Sequence, residues 1–270
     1  MKFCTIIGYP LSNPRSVKLW RNFFAKKKLK IKMDPYEINP INFKKKFFEL
    51  VYNENFLASA VTMPFKKKVI NFVTIKDKLT KYSKAVNFVI KKGKSIYGYN
   101  TDIYGALETL KKIKKKKIII YGFGGAGEPI ARTLIKKNSN SKFFIYSKKK
   151  KPRDFKSNKV RFFQNKKKID LFDIDLFINC SPLGSNLNSS YLQKNPLNSS
   201  IIKKAKKSLV IFDIVYKPKL TKLGILAKKN KIKYINGIMM NSIQAEYALK
   251  IIGKFIKINA KKNKKSIYSR

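Results

Sequence analysis

KIIIYGFGGAGEPIARTLIKK, residues 117–137, joins a short unbroken apolar run to a glycine-rich hexapeptide and then to an amphipathic stretch with Pro129 near its start. An apolar run without alternation suits a parallel strand buried on both faces. The glycines after it follow G-x-G-x-x-G, with Gly122, Gly124 and Gly127 at the fixed positions and Gly125 and Ala126 between them. In this pattern the first glycine permits a tight turn and the second lets backbone approach a pyrophosphate. The third lets the helix pack close, and the helix start offers N–H groups to the anion. The bland alternative is an ordinary strand-to-helix turn, but the strand before it and a helix that tolerates Pro129 in its first turn favour a dinucleotide site.

Downstream, KFFIY (142–146), KVRFF (159–163), DLFIN (175–179) and LVIFDIV (209–215) read as further strands separated by helix or loop signals. The strand after the glycine turn runs into SKKKK, with no acid to take a ribose 2′-hydroxyl; Lys148 to Lys151 would instead meet a 2′-phosphate, so NADP is preferred over NAD. Upstream, FCTII (3–7), DPYEI (34–38) and FLASAVTM (56–63) read as strands. Residues 16–29, FKKKFFELVYN and PFKKKVINFV have helical spacing. This alternation predicts a parallel or mostly parallel sheet. Residues 237–258 read as a closing helix, followed by a lysine-rich tail expected to fray.

The 270 residues suffice for two modest cores, and 44% are hydrophobic. The formal charge of +49 suggests a polyanionic partner. Yet only six of the 63 basic residues are arginine, the lysines are strewn along the whole chain, and Asn, Ile, Phe and Tyr abound. All these residues share A/T-rich codons, and a dedicated nucleic-acid binder would gather arginine on one element. Codon drift is therefore the preferred reading, with no specific nucleic-acid partner. Two cysteines and no histidine give neither a disulfide framework nor an ordinary zinc site. No apolar run has signal-peptide or transmembrane character, so a cytoplasmic protein is expected.

Further segments line up in order with one family. IIGYPLSNPRS, AVTMPFK, AVN (85–87), GYNTD (98–102), GFGGAG, INCSPLG (178–184), DIVYKPKLTKL (213–223) and NGIMMNSIQAE (236–246) make the chain resemble shikimate dehydrogenase over nearly its whole length. The resemblance implies a two-domain α/β enzyme that reduces 3-dehydroshikimate with NADPH, on the route to aromatic amino acids. It implies an α/β substrate domain at 1–102, a Rossmann-like doubly wound NADP-binding domain at 103–236 and a C-terminal helical segment at 237–270 returning to the first, with the active site in the cleft between domains. The family's catalytic lysine and aspartate fall on Lys66 and Asp102. Substrate contacts fall on Ser16, Thr62, Asn87, Tyr216 and Gln244, and cofactor contacts on Gly122, Gly124, Gly125, Ala126, Gly127, Ser147, Lys148, Cys180 and Gly237.

The chemistry is sound on its own terms. Hydride delivery to a ketone builds an alkoxide that needs a proton donor, and with no histidine in the chain an ammonium oriented by a carboxylate can serve. A plain structural role for Asp102 is to cap the helix beginning IYGALETL. Cys180 lacks a histidine base and reads as a small packing residue, not a nucleophile. Against the family pattern, Pro14 replaces a serine that binds the substrate carboxylate and Ala60 replaces an asparagine. Asn13, Phe88, Lys148 and Met239 stand where a histidine, a threonine, an arginine and a glycine are usual. Ser12 is a hydroxyl that could stand in for the serine lost at Pro14. The rival readings are a quinate/shikimate dual-specificity dehydrogenase and a decayed remnant that binds nucleic acid.

Overall fold

The computed structural model describes the chain apart from residues 12, 13, 115, 149, 156 and 268–270, and gives the backbone alone for 257–267. The chain divides into two compact units, Met1–Tyr104 with Ile243–Arg270, and Gly105–Ser242.

The first unit runs β1 (Phe3–Gly8), α1 (Arg15–Lys26), β2 (Lys32–Glu37), α2 (Phe43–Tyr52), β3 (Phe56–Val61), α3 (Lys66–Val69), β4 (Ile75–Lys76), α4 (Lys78–Ser83), β5 (Phe88–Lys92), β6 (Ser95–Tyr99) and α5 (Thr101–Thr109), the last passing into the second unit. Its sheet has the order β2-β1-β3-β5-β6-β4. β1 pairs in parallel with β2 and β3, whereas β5 is antiparallel to both β3 and β6. Pro35 is tolerated because β2 is an edge strand. Alternation along β1 assigns the two faces: Phe3 and Ile7 join Phe43, Phe47 and Val51 of α2, while Cys4 and Ile6 join Trp20 and Phe24 of α1. Phe47 is fully buried, and removing such a side chain from water contributes about 2–3 kcal/mol.

The second unit contains β7 (Lys117–Tyr121), α6 (Gly127–Lys137), β8 (Lys142–Tyr146), β9 (Val160–Phe163), β10 (Leu176–Asn179), α7 (Ser189–Leu192), α8 (Ser199–Lys203), β11 (Val210–Asp213), α9 (Lys222–Lys229) and β12 (Lys233–Ile235). The long α10 (Ile238–Ile267) begins there and ends in the first unit. The sheet order is β12-β11-β10-β7-β8-β9, with each pair parallel. This is the doubly wound arrangement, with its switch point between β7 and β10. KIIIY lacks alternation because both its faces are covered. Ile118 and Ile120 pack with Ile130 and Leu134 of α6, and Ile119 and Tyr121 pack with Leu223 and Ala227 of α9.

Two differences from the sequence reading have physical causes. PFKKKVINFV forms only the single turn α3, because Asn71 N–H and Phe72 N–H close local turns after it. The first sheet is mixed, because Gly93, at φ +58°, helps turn β5 back onto β6 as a hairpin. The lysine-rich tail continues α10 to Ile267.

At the other end of the second sheet, the Asp175 carboxylate accepts the N–H groups of Lys116 and Lys117 at 3.0 and 2.9 Å and the Lys206 ammonium at 2.7 Å. Lys206 and Lys117 also reach Asp173. Burial by itself would raise the Asp175 pKa. The Lys206 ammonium and the two N–H groups outweigh it and hold the carboxyl below its ordinary 3.8. A carboxyl lowered in the folded state stabilises it above the unfolded value, and that stability is lost as pH falls through the folded value. Asp175→Ala is expected to cost about 2 kcal/mol at neutral pH and to flatten the acid limb of the stability curve below about pH 4, read by urea melts at several pH values. An unchanged acid limb would refute this assignment.

Candidate active site

Register gathers the AVT, AVN and NTD tripeptides of the first unit at one end of its sheet. Ile7 lies opposite Val61, Ala60 opposite Phe88, and Phe88 opposite Tyr99. The chain segments leaving or entering the sheet there carry Thr62, Lys66, Asn87 and Asn100–Asp102. Backbone bonds fasten them: Thr62 N–H donates to Ile7 O, Val86 N–H to Lys66 O, and Asn87 N–H to Tyr99 O.

At this end Lys66 Nζ donates to Asp102 Oδ2 at 2.6 Å, with the two side chains 17% and 16% exposed. Enclosure of that degree strengthens the pair relative to one on the open surface. Asp102 is not the cap of α5. Asn100 takes that role, accepting Ile103 N–H on Oδ1 at 3.3 Å, because the helix begins one residue before Asp102. Capping by Asn100 leaves the Asp102 carboxylate for Lys66.

Beside the pair runs a chain of polar groups. Asn87 Oδ1 accepts Thr101 N–H at 2.6 Å, and Asn87 Nδ2 donates to Thr101 Oγ1 at 3.0 Å. The Thr101 hydroxyl in turn donates to Gln244 Oε1 at 3.0 Å, which orients the amide and leaves its NH2 as a donor group. Thr101 was not singled out by the sequence reading. Its signal was its place in the N-T-D tripeptide, between the residue that caps α5 and the residue that pairs with Lys66.

Ser16 is half-buried in the first turn of α1, with Pro14 at the N-cap and no side-chain cap. Among the described residues, no hydrogen bond joins Ser16 to Lys66, Asp102, Asn87, Thr101 or Gln244. Ser12 and Asn13 lie outside the described residues. Phe88 is core, edge-on to Trp20 at 5.8 Å, whereas Met239 is exposed.

In the second unit Gly122, at φ +98°, makes the turn that ends β7, and its N–H donates to Tyr146 O of β8. A side chain at Gly127 would meet Gly122 O at 2.0 Å, so only glycine lets α6 start there. Nothing lies within 4 Å of a Cβ built at Gly124 or Gly125, which leaves open backbone on the turn. Ala126 is the N-cap of α6 and contributes no side-chain cap. Such a turn, with an uncapped helix start, fits a dinucleotide pyrophosphate.

After β8 come buried Ser147 and exposed Lys148, with no carboxylate along the chain until Asp154, which is paired with Arg132. Lys149 lies outside the described residues. This end of β8 therefore offers cations and a hydroxyl where an NAD site would offer an acid, and it suits the 2′-phosphate of NADP. Cys180 packs against Gly127, and burial, with the Asp213 carboxylate adding, pushes its thiol pKa far up, as befits a packing residue.

Tyr216 is half-buried on the connection after β11. Asp213, fully buried, spans that connection: it accepts Val215 N–H on Oδ1 at 3.1 Å and the Thr221 hydroxyl on Oδ2 at 2.8 Å. Burial pushes the Asp213 carboxyl up to about 6, against the pull of its hydrogen-bond donors. Gly237 N–H donates to Val215 O at 3.0 Å and ties the start of α10 to the same connection.

Comparison with known proteins bears on the fold and the family. The family model for the shikimate dehydrogenase substrate binding domain matches residues 6–89. A Methanocaldococcus jannaschii protein named shikimate dehydrogenase (NADP(+)) is 29% identical over 265 residues, spanning 93% of this chain and 90% of the relative. A Clostridium perfringens protein of the same name is 34% identical over 188 residues, 67% of this chain and 66% of its own length. Among solved structures, the shikimate dehydrogenase of Aquifex aeolicus superposes with a TM-score of 0.79 at 27% identity, covering 93% of this chain and 91% of that one. Fold, ordered motifs and relatives lead to one conclusion: the chain belongs to the shikimate dehydrogenase family.

Proposed function

We propose that this protein reduces 3-dehydroshikimate to shikimate with NADPH, in the biosynthesis of aromatic amino acids, acting in the cytoplasm as a monomer or homodimer. The observation that carries the reading is the enclosed Lys66–Asp102 pair, joined through the chain to the Asn87–Thr101–Gln244 bonds.

NADPH, when bound, supplies the hydride. Lys66 donates a proton to the oxyanion that forms on the substrate as its ketone is reduced, and in the reverse direction takes it back. Asp102 occupies one N–H of the ammonium, which fixes the direction of the other two, and its remaining oxygen can accept from a substrate hydroxyl. Gln244 and Asn87 supply amide groups for the ring hydroxyls. Ser16, Thr62 and Tyr216 supply hydroxyls, with Ser16 and Tyr216 assigned to the substrate carboxylate. The pyrophosphate is assigned to the turn Gly122–Gly127 and the start of α6, and the 2′-phosphate to Ser147 and Lys148. Cys180 and Gly237 complete the cofactor walls by packing, not by reaction.

Pro14 and Ala60 each remove one hydrogen bond to a polar substrate, at about 1 kcal/mol apiece. Such losses weaken binding but leave the proton donor and its carboxylate in place, which supports a working enzyme over a remnant. A retired scaffold kept only for its charge would have no reason to preserve Lys66, Asp102 and the glycine turn together.

The test is NADPH formation by the purified protein given shikimate and NADP+. Lys66→Ala is expected to lower kcat by about 10²- to 10⁴-fold while NADP+ binding, read by fluorescence quenching, stays unchanged. Folded protein that gives no turnover would refute the reading. Ala60→Asn is expected to lower the KM for shikimate by about three- to tenfold at unchanged kcat, which steady-state kinetics would check. A faster reaction on quinate than on shikimate would redirect the substrate assignment.

A further inference from the structure

Arg132, in the second turn of α6, is nearly enclosed, with its side chain 11% exposed. Its Nε and Nη2 donate to Glu128 Oε1 in the first turn, at 2.9 and 2.8 Å. Nη2 also reaches both carboxylate oxygens of Asp154, each at 3.2 Å, in the loop that follows β8. The guanidinium carbon lies 5.0 Å from the ring centroid of Phe155. Phe155 in turn stands edge-on to Phe123 of the glycine turn, with centroids 5.0 Å apart. One side chain thus fastens three pieces: the helix start, the far end of the basic loop and, through Phe155, the glycine turn.

The near end of that loop is fixed separately. Ser147 N–H donates to Phe163 O at 3.2 Å, and Gln164 Nε2 donates to Lys148 O at 3.1 Å. Between the two anchors stand exposed Lys148, Lys150, Lys151 and Arg153. A lysine loop held at one end only would have to be ordered by its ligand, and that ordering is subtracted from the affinity. With both ends held, the described cations Lys148, Lys150, Lys151 and Arg153 are presented before any ligand arrives. Arg132 has a second effect, because it offsets the charge of Glu128, a buried carboxylate one turn from the place where a pyrophosphate would sit.

We propose that Arg132 is a positioning residue for cofactor selection. It clips Asp154 and Phe155 to the first turn of α6 and so preorganises the basic loop for a 2′-phosphate. The inference rests on the NADP reading above. It differs from a charge-only account in a way that can be measured. Removing the Asp154 carboxylate leaves the loop more positive, so charge alone would tighten binding of a 2′-phosphate. Loss of the clip would weaken it.

The test is calorimetric titration of the purified full-length protein, at fixed ionic strength, with 2′,5′-ADP and with 5′-AMP. The unaltered protein is expected to prefer 2′,5′-ADP by at least about tenfold. Arg132→Met is expected to remove most of that preference. Asp154→Asn is expected to weaken 2′,5′-ADP by about threefold and leave 5′-AMP unchanged. Tighter or unaltered binding of 2′,5′-ADP by Asp154→Asn would overturn the proposal, as would equal losses for both probes in Arg132→Met, which would mark a general collapse of the turn. Should Arg132→Met fail to fold, Asp154→Asn decides the matter by itself, since that side chain is 46% exposed and its loss spares the core. An unaltered protein that fails to distinguish the probes would sink the NADP reading and this inference with it. A discriminating protein with an indifferent Asp154→Asn would sink the inference alone.

Discussion

The Lys66–Asp102 pair depends on the register of one antiparallel hairpin. Ala60 stands opposite Phe88 and Phe88 opposite Tyr99, so the end of β3, the start of β5 and the end of β6 share one edge of the sheet. A slip of one residue in either pairing would move Phe88 from the α1 side of the sheet to the α2 side, where the smaller Val89 packs, and would carry residues 100–102 away from Lys66. The burial of Phe88 against Trp20 is what prevents it. The polar geometry at Lys66 is therefore fixed by apolar packing on the face beneath it.

The second unit solves a different problem with more local means. Its parallel sheet is covered on both faces, and the chain must leave β7 sharply to start α6 on one of them. Gly122 and Gly127 meet that steric demand, whereas Gly124 and Gly125 meet no such demand within the protein. The open backbone at those two positions leaves room for a group outside the chain to approach closely.

The charge of the molecule has two layers. Most of the 57 lysines lie on the surface, where substitution costs little, and the excess is of the kind that A/T-rich codons produce. A few cations are different in kind. Lys66, Lys206 and Arg132 are at least partly enclosed, each bonded to one or more carboxylates. Exposure and partners, not residue type, set these cations apart from the rest.

By itself the sequence determined what depends on neighbours along the chain. The unbroken apolar run of KIIIY, the glycine spacing after it and the helix that follows are local features, and they specified the doubly wound unit and its turn. The missing acid after Tyr146 is likewise a local fact, legible without coordinates. Tertiary structure decided what depends on residues far apart in sequence. The hairpin β5–β6 was unread because its strands are short and lysine-bearing, so the expectation stopped at a parallel or mostly parallel sheet. The capping of α5 by Asn100, the link from Thr101 to Gln244 and the bridge from Arg132 to Asp154 each join residues whose directions are set by packing. Spacing can name the residue types at such a site. Only the burial of the faces around them fixes where the side chains point.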